Sequence, residues 1–288
     1  MDLSICLVPL NALDYLKPLL ASIERYSSGL SYEVIMVDNG STDGTVAWIE
    51  HYHPEITLIR NQGNLGFTRG NNQAMALAKG DYILLLNPDT LLTEDCFGPQ
   101  IAYLRQNPQV GITIPKVLNE DGSFQQQSRR GDARPVEVFG YFLKLGKLFP
   151  KSKELNGYLQ SWLPEDEVAE VKAVSGSCMF IRREVYQQIG GLDEHFFAYQ
   201  EDSDYCLRAR QSGWKVMYVP LSSIVHYGGE GGSKTHPYYS ILQWHRSYYL
   251  YYRKHFAREH FFLFNWFYYL MMVFKLLFAW LKQLLRRK

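Results

Sequence analysis

The chain has 288 residues, 47% of them apolar, which is enough for one large domain or two small ones with a sizeable core. Its net charge of +1 is uneven, because residues 244–288 carry nine Lys or Arg and one Glu, leaving 21 of the 30 bases and 28 of the 29 acids elsewhere. The acidic body has no basic patch that would indicate nucleic acid, whereas the tail, with a net charge of +8, predicts contact with an anionic surface.

The four cysteines, Cys6, Cys96, Cys178 and Cys206, form no C-x-x-C pair, so a zinc-ribbon or thioredoxin-like site has no support. We expect buried, reduced thiols in a cytosolic protein. The first residues lack a basic region followed by a long apolar run, and no signal peptide is predicted.

Short apolar runs alternate with helical stretches through the first half of the chain. Strands are predicted at 3–8, 32–38, 56–61 and 82–87, and helices at 11–26, 45–52 and 68–80. This alternation is typical of βαβ units and predicts an α/β fold with a mainly parallel sheet flanked by helices. The strands are nearly all apolar, as in sheets that are covered on both faces.

The second half is less regular. Residues 119–172 have weak periodicity and predict a long excursion. A regular pattern resumes at residue 173, with an apolar run at 173–181 and a helix from Arg182. Two short strands follow, at 215–219 and 223–226. The predicted division is a catalytic domain over residues 1–240 and a membrane-associated helical segment over residues 241–288.

Residues 261–281 contain only two strongly polar side chains, Asn265 and Lys275. As a helix they would extend about 31 Å, against a hydrocarbon core of about 30 Å. Lys275, Lys282 and Arg286 share one helical face, and aromatic residues are dense. This composition predicts a helix lying at the membrane interface, or a tilted anchor with a snorkelling lysine. The alternative is an apolar helix docked on the domain or on a partner subunit.

Polar side chains that follow predicted strands are the candidates for chemistry, because open α/β sheets bind ligands beyond the carboxyl ends of their strands. Asp38 begins a Gly/Ser/Asp turn and can accept a hydrogen bond from a nucleobase or ribose, or simply form the turn. Asp89 follows the most apolar strand, where a carboxylate can bind Mg²⁺ or Mn²⁺ or cap a helix. His226 ends a strand before a Gly-rich loop and is a ligand candidate.

Two further segments are informative. The loop at 61–74 has Gly63, Gly66 and Gly70, a spacing that matches neither G-x-G-x-x-G nor a P-loop, although its Arg69 could approach a diphosphate. The stretch "QEDSD" packs Glu201, Asp202 and Asp204 together, and could supply a base, hold a metal or start a helix.

Five runs carry a resemblance, taken together and in this order: "VDNGSTDGT", "NLGFTRGNN", "LLLNPDT", "VSGSCMFIRREVYQQIGGLDEHFFAYQEDSDYCLRARQSGWKVMYVP" and "IVHYGG". They resemble the inverting GT-A glycosyltransferases of family 2, in particular the bacterial rhamnosyltransferase-like branch. The resemblance covers residues 3 to about 233. It implies a GT-A fold and a divalent metal, Mg²⁺ or Mn²⁺, as cofactor.

The resemblance also implies roles for individual residues. Asp202 would be the catalytic base, with Glu201 beside it. Asp89 would bind the metal, helped by His226. The matched motifs assign nucleotide-sugar binding to Pro9, Asn11, Asp38, Asn39, Gly66, Arg69, Asn72, Asn87 and Pro88. Asp204 has Arg208 four residues on, which predicts a structural ion pair.

The sequence departs from the family pattern in two places. The first strand leads into "VPLN", which leaves only Asn11 matched there, and the metal motif Asn87-Pro88-Asp89 has one carboxylate rather than two. The first departure leaves the nucleotide preference open. The second predicts a lightly liganded metal that relies on the donor's diphosphate and on His226.

The predicted function is transfer of a sugar, L-rhamnose from dTDP-rhamnose, to a lipid-linked or polysaccharide acceptor at the cytoplasmic face of the membrane. Residues 119–172 and the loop 228–232 are expected to contact the acceptor. The alternatives are another donor, such as UDP-galactofuranose or UDP-GlcNAc, and a catalytically silent nucleotide-sugar-binding scaffold. A Rossmann oxidoreductase lacks its glycine motif, and the sequence leaves a homo-oligomer open.

Overall fold

The computed structural model of the protein describes residues 1–27, 29–229 and 236–285. Within these ranges the strands are β1 (Leu3–Leu7), β2 (Tyr32–Asp38), β3 (Thr57–Arg60), β4 (Tyr82–Leu86), β5 (Thr90–Leu91), β6 (Val110–Leu118), β7 (Arg129–Arg130), β8 (Ala169–Glu170), β9 (Ala173–Val174), β10 (Cys178–Arg182) and β11 (Lys215–His226). The helices are α1 (Leu13–Tyr26), α2 (Thr45–Tyr52), α3 (Phe67–Leu77), α4 (Phe97–Gln106), α5 (Pro135–Phe142), α6 (Leu145–Leu148), α7 (Arg183–Ile189), α8 (Glu201–Gln211), α9 (Pro237–His255) and α10 (Phe262–Leu285).

The main sheet has the strand order β3-β2-β1-β4-β10-β6-β11-β5, with β8 paired to β11. The strands β1 to β4 pair in parallel, β6 and β11 pair in parallel, and β10 runs antiparallel between β4 and β6. The carboxyl ends of β1, β2, β4, β6 and β11 therefore share one edge. The predicted α/β class and mainly parallel sheet are confirmed.

The predicted elements of the first half match the structure to within three residues. The largest difference is α3, which ends at Leu77 rather than at Gly80. Gly80 lies so close to the backbone of Leu3 and Ser4 that a Cβ there would stand 2.6 Å from both, and the chain must leave the helix to make this approach. The two strands predicted at 215–219 and 223–226 are one strand, β11, which is interrupted by a register shift between Tyr218 and Ser223.

Two apolar cores hold the chain together. The larger one lies on both faces of the sheet and contains all four cysteines, which are buried free thiols as predicted. The second is rich in tyrosine and joins α5, α8, α9 and α10, with Tyr248, Tyr251, Tyr252 and Tyr268 at its centre. Through this second core the excursion 119–172 and the C-terminal helices pack on one another.

Candidate active site

A cleft of about 410 Å³ opens at the carboxyl edge of the sheet. Strand ends, the excursion, α8 and α9 all contribute to its walls. Its polar lining includes Asn39, Asn64, Asn87, Asp89, Arg130, Ser175, Ser177, Glu201, Asp202, His226, Tyr239, Ser240 and Gln243. The acids and the histidine that the sequence singled out at residues 89, 201, 202 and 226 thus meet in one place.

Asp89 and His226 come together because β5 pairs with the end of β11, with Thr90 opposite His226. The His226 Nε2 atom lies 3.3 Å from Asp89 Oδ1. Its Nδ1 atom lies 2.8 Å from Gln125 Oε1, and a Nδ1–H donated there leaves the Nε2 lone pair facing Asp89. No helix starts directly after Asp89, because the next two residues form β5, so a helix-capping role for this carboxylate is excluded.

Asn87 completes this corner of the cleft. Its Nδ2 lies 3.0 Å from His226 Nε2, and its Oδ1 is buried without a hydrogen-bond partner among the described residues. Rotation of the amide would turn that orphaned oxygen toward the position between Asp89 and His226. The described residues contain no cluster of three or more His, Cys, Asp or Glu that could hold a metal. Asp89 and His226 offer one carboxylate and one imidazole beside the Asn87 amide, and this donor set fits a hard divalent cation that takes its remaining ligands from a diphosphate and water.

Asp202 lies in the first turn of α8, and almost all of its side chain is buried. Its Oδ2 accepts hydrogen bonds from Arg130 Nη2 at 2.5 Å and from the Gly176 backbone N–H at 3.1 Å. Its Oδ1 accepts one from the Ser203 backbone N–H at 2.7 Å. The carboxylate is thus held firmly at the cleft wall by a buried cation and two amides.

Glu201 is also buried, and its Oε2 has no hydrogen-bond partner among the described residues. Burial, followed by the charge of Asp202, raises the pKa of Glu201 well above its usual range. The two residues before it, Tyr199 and Gln200, have φ angles of 69° and 64°. Two successive non-glycine residues in the left-handed region cost free energy, and such strain is concentrated at functional sites.

Asp204 forms the structural ion pair that the sequence predicted. It is completely buried, and Arg208 Nε donates to its Oδ2 at 2.8 Å. Two residues of α9 also contact it, because Lys254 Nζ and His255 Nε2 lie 2.6 and 2.7 Å from Oδ1. Asp204 therefore joins α8 to α9.

Asp38 ends β2 and is buried. Its Oδ2 accepts hydrogen bonds from the backbone N–H groups of Gly40 and Ser41, at 3.0 and 2.9 Å. Its Oδ1 is buried without a partner among the described residues. One oxygen forms the turn while the other is available to a ligand donor, so the two readings of Asp38 are compatible.

Pro9 and Asn11 contact the loop that follows Asp38. The Pro9 carbonyl accepts a hydrogen bond from the Asn39 backbone N–H at 3.0 Å. Asn11 Oδ1 accepts one from the Thr42 N–H at 2.7 Å, and the Asn11 N–H donates to Ser41 Oγ at 2.9 Å. These contacts hold the loop in place, although neither Pro9 nor Asn11 lines the cleft.

Asn39 and Gly66 link this loop to the segment at 61–74. Asn39 Nδ2 donates to the Gly66 carbonyl at 3.1 Å, and its Oδ1 accepts from Asn61 Nδ2 at 2.9 Å. Gly66 has a φ of 91°, and a Cβ there would lie 2.5 Å from the carbonyl oxygen of Phe197. Only glycine fits this contact between the start of α3 and the segment that precedes α8.

The side chains of Arg69 and Asn72 point away from the cleft. Arg69 Nε lies 3.2 Å from Glu194 Oε2, and Asn72 Nδ2 donates to the Leu192 carbonyl at 2.9 Å. Neither residue lines the cleft. The structure places both side chains against the loop at 192–194, which they hold beside α3. Pro88, by contrast, lies on the cleft wall next to Asp89.

Sequence reasoning missed Arg130, Gln125, Tyr239 and Gln243. Arg130 and Gln125 belong to the aperiodic excursion, where the one local signal was the paired arginines in "SRRGD". Tyr239 and Gln243 belong to α9, whose first turns line the cleft. Of the loop at 228–232, in which acceptor contacts were predicted, residues 230–232 lie outside the described residues, as does Arg286.

The start of α9 and the catalytic body are joined by direct hydrogen bonds. Arg246 Nη1 donates to the His195 carbonyl at 3.0 Å, and Ser247 Oγ donates to the Ala198 carbonyl at 2.8 Å. On the opposite side of α9, Tyr252 stacks on Tyr268 of α10 with ring centroids 4.0 Å apart. A continuous packed path therefore runs from the cleft to α10.

In the part of the chain that the structure describes, α10 is the single helix long and apolar enough to cross a membrane, and only 11% of its most apolar window is buried. Its exposed face is made of large apolar side chains: Phe262, Leu263, Trp266, Phe267, Leu270, Val273, Phe274, Leu277, Phe278, Leu281, Leu284 and Leu285. Lys275 points inward, with Nζ 3.8 Å from the ring centroids of both Phe142 and Trp244. Two aromatic rings thus bind its ammonium group in this structure. The choice between an interfacial helix and a tilted anchor with a snorkelling lysine stays a prediction.

Comparison with known proteins agrees with this geometry. The family described as "Glycosyl transferase family 2" matches residues 4–190, more than half of the chain. The chain belongs to this family. It is therefore a glycosyltransferase, and the resemblance stated from the motifs is confirmed.

The relatives of this glycosyltransferase include two rhamnosyltransferases. The N-acetylglucosaminyl-diphospho-decaprenol L-rhamnosyltransferase of Mycobacterium tuberculosis is 27% identical over 246 residues, which cover 80% of this chain and 79% of the relative. Rhamnosyltransferase WbbL of Escherichia coli is 27% identical over 223 residues, covering 74% of this chain and 79% of the relative.

Among solved structures, the mannosyltransferase PcManGT of Pyrobaculum calidifontis, in complex with GDP-Man and Mn²⁺, has a TM-score of 0.60 at 16% identity. The match covers 88% of this chain and 63% of the mannosyltransferase. S. aureus TarS 1–349 in complex with UDP has a TM-score of 0.56 at 13% identity, and the match covers 87% of this chain and 65% of that one. At these identities the likeness shows the fold alone, and it confirms the GT-A architecture.

Proposed function

We propose that this glycosyltransferase moves L-rhamnose from dTDP-rhamnose to a lipid-linked acceptor, with inversion at the anomeric carbon and with help from a divalent metal. The observation that carries the proposal is the convergence of the Asp89–His226 pair and the Asp202 carboxylate in one cleft. The two rhamnosyltransferase relatives, one of them named for a decaprenol-linked substrate, support the choice of sugar and acceptor.

The reaction is a single displacement. The acceptor hydroxyl oxygen attacks the anomeric carbon, the bond from that carbon to the diphosphate oxygen breaks, and the hydroxyl proton passes to Asp202. A positioned base of this kind contributes roughly 10²- to 10⁴-fold. Glu201, whose raised pKa favours the protonated form, can donate a hydrogen bond to the acceptor through a carboxyl group that has an unpartnered oxygen.

Asp89 and His226 would hold the metal, and Gln125 keeps the histidine in the tautomer that can bind it. A bound divalent cation supplies Lewis-acid stabilisation to the departing nucleoside diphosphate. One carboxylate and one imidazole leave most ligand positions to the donor's phosphate oxygens and to water, a pattern typical of Mg²⁺ with phosphate substrates.

The unpartnered Oδ1 of Asp38 would accept a hydrogen bond from the imide N–H of thymine or from a ribose hydroxyl. The loop contacts of Pro9, Asn11 and Asn39 fix the turn in which Asp38 lies. These roles give the donor's base and its diphosphate separate anchors at the same sheet edge.

The exposed apolar face of α10 supports a position at the cytoplasmic face of the membrane, with the helix embedded along its length in the interface. Residues 1–240 would then form the catalytic domain, and residues 241–288 the membrane-associated segment. The contacts of α9 with both the cleft and α10 would keep the active site close to the lipid headgroups, where a lipid-linked acceptor is found.

The test is a donor screen with the full-length protein and Mn²⁺. Release of nucleoside diphosphate is measured for dTDP-rhamnose, UDP-GlcNAc, UDP-galactofuranose and GDP-mannose, with and without a prenyl-diphosphate-linked N-acetylglucosamine acceptor. We expect release from dTDP-rhamnose that depends on the acceptor. Release from another donor would replace the sugar in the proposal, and no release from any donor would favour a silent nucleotide-sugar-binding scaffold.

A further inference from the structure

An exposed basic and apolar segment, residues 143–153, follows α5 and includes α6. It contains four exposed lysines and no acid: Lys144, Lys147, Lys151 and Lys153. The same segment exposes Leu143, Leu148 and Phe149, which are 65%, 72% and 55% exposed. Large apolar side chains that are exposed together mark an interaction surface rather than an ordinary loop.

This basic and apolar segment is adjacent to α10. Phe139 of α5 packs edge-to-face on Tyr268 of α10, with ring centroids 6.0 Å apart. Phe142, the residue just before the segment, lies under the ammonium of Lys275. The segment is thus continuous with the helix whose apolar face is exposed.

We propose that residues 143–153 are a second membrane contact. Their lysines bind anionic headgroups while Leu143, Leu148 and Phe149 enter the interface beside α10. Alternating lysine with leucine and phenylalanine is the composition of interfacial segments, and the positive charge complements an anionic leaflet. A bilayer is favoured over a protein partner because α10 exposes a long apolar face next to the segment, with Lys282 as the one exposed charge among its described residues.

Contact through both α10 and the adjacent segment would help to fix the orientation of the cleft relative to the bilayer. The excursion that carries the segment also carries Arg130, which reaches the cleft. One continuous stretch of chain therefore runs from the active site to the proposed membrane contact.

The charge is tested by vesicle co-sedimentation of the full-length protein and of the Lys144→Gln/Lys147→Gln variant. Vesicles are phosphatidylcholine alone or an equal mixture with phosphatidylglycerol. We expect about 30-fold weaker binding to the mixed vesicles, because each lysine near an anionic surface contributes about 1 kcal/mol and 1.4 kcal/mol corresponds to tenfold. The matched control, Lys79→Gln/Lys172→Gln, removes two exposed lysines elsewhere and should bind like the wild type.

The apolar side chains are tested by Leu148→Ser/Phe149→Ser, with Leu221→Ser as the control at a residue that is 60% exposed. We expect weaker binding of the double variant to both kinds of vesicle. Binding of both double variants equal to that of their controls would overturn the proposal. So would light scattering that shows a wild-type dimer and a monomeric Leu148→Ser/Phe149→Ser variant, since the surface would then be an interface between two copies.

A separate observation is a groove of about 500 Å³ between α5, α6 and the start of α10. Its apolar walls include Val136, Phe139, Leu145, Leu155 and Phe264, and Arg134 lies at its polar end. Arg134 follows Arg130 by four residues, so their Cα atoms are at most about 14 Å apart. The groove therefore begins close to the cleft and lies between the two proposed membrane contacts.

We infer that this groove receives the hydrocarbon chain of an isoprenyl phosphate, with Arg134 beside the phosphate; this assignment rests on the lipid-linked acceptor proposed above. Arg134 is paired with Glu259, whose side chain also lines the groove, and its guanidinium stacks on the ring of Phe256. The guanidinium of an arginine can form two parallel hydrogen bonds to a phosphate as well as to a carboxylate. Arg134 can therefore release Glu259 and bind the phosphate of the ligand.

The test is direct binding of isoprenyl monophosphates of increasing chain length to the full-length protein, below their micelle-forming concentrations. We expect wild-type affinity to rise with chain length, and Val136→Trp, which fills the groove, to remove that rise. Leu221→Trp is the control. Affinity that rises equally in wild type and Val136→Trp, or does not rise in the wild type, would overturn the groove assignment, whereas the donor screen tests the transfer reaction independently.

Discussion

Arg130 Nη2 and Asp202 Oδ2 form a 2.5 Å ion pair in which the side chains are only 11% and 9% exposed. Removing one partner of such a pair leaves a buried charge without compensation, at a cost of about 3–5 kcal/mol. Arg130 therefore both stabilises the folded protein at the cleft and neutralises the negative charge of the proposed base, Asp202.

Replacing Arg130 with glutamine should lower kcat/KM and the free energy of unfolding. The reason is that the buried Asp202 carboxylate loses the cation that holds its Oδ2 at the cleft wall. Arg130→Lys retains the charge and is the control, and it should lose less of both. Equal kcat/KM in wild type and Arg130→Gln would show that the arginine does not position Asp202.

Asp202→Asn should reduce transfer by about 10²- to 10⁴-fold, because the amide cannot accept the hydroxyl proton. Calorimetric binding of dTDP-rhamnose should survive. Glu201→Gln is the matched comparison, and its loss should be much smaller, since glutamine resembles the protonated acid that the raised pKa of Glu201 favours. If Asp202→Asn kept more than about a tenth of wild-type turnover, Asp202 would not be the base.

Gln125→Leu should weaken Mn²⁺ binding by about 10- to 100-fold, the usual cost of removing a residue that orients a metal-binding histidine. The physical cause is loss of the 2.8 Å contact to His226 Nδ1, which fixes the tautomer. The measurement is Mn²⁺ titration by electron paramagnetic resonance in the presence of dTDP. Gln106→Leu, a change at an exposed glutamine at the end of α4, is the control, and equal Mn²⁺ affinities in all three proteins would remove His226 from the metal site.

Asp204→Asn should destabilise the fold in a pH-dependent way. Burial would raise the pKa of Asp204, but the contact with His255 and the charges of Arg208 and Lys254 outweigh it and hold the pKa below 3.8. A lowered carboxylate pKa contributes stability that is complete above the unfolded-state pKa and is lost as the pH falls through the lower folded-state value. Urea unfolding should therefore show a deficit of about 3–5 kcal/mol at neutral pH that shrinks below about pH 4. A deficit independent of pH would contradict this origin.

The first half of the fold could be predicted because its signals are local. Buried strands such as β4 are continuous apolar runs, and the strand-end rule then located Asp38, Asp89 and His226 without knowledge of the pairing. The predicted ion pair of Asp204 with Arg208 needed only helix geometry.

What could not be predicted depends on long-range packing. Arg130 reaches Asp202 across 72 residues, from an excursion that has no periodic pattern. Composition placed Lys275 on a helix at the membrane but gave no contact for it, and only the position of Phe142, on a different helix, explains why it turns inward. The lining of the cleft by α9 likewise depends on contacts with His195 and Ala198, which no spacing in the tail indicates.

The central claim, a single displacement in this cleft, is tested most directly by the stereochemistry of the product. Wild-type protein is given dTDP-rhamnose, Mn²⁺ and the lipid-linked acceptor, and the anomeric configuration of the new linkage is read by nuclear magnetic resonance. We expect a single product whose anomeric configuration is inverted relative to that of the donor, and we expect no product with Asp202→Asn. Retention of configuration, or an inverted product formed equally well by Asp202→Asn, would contradict it.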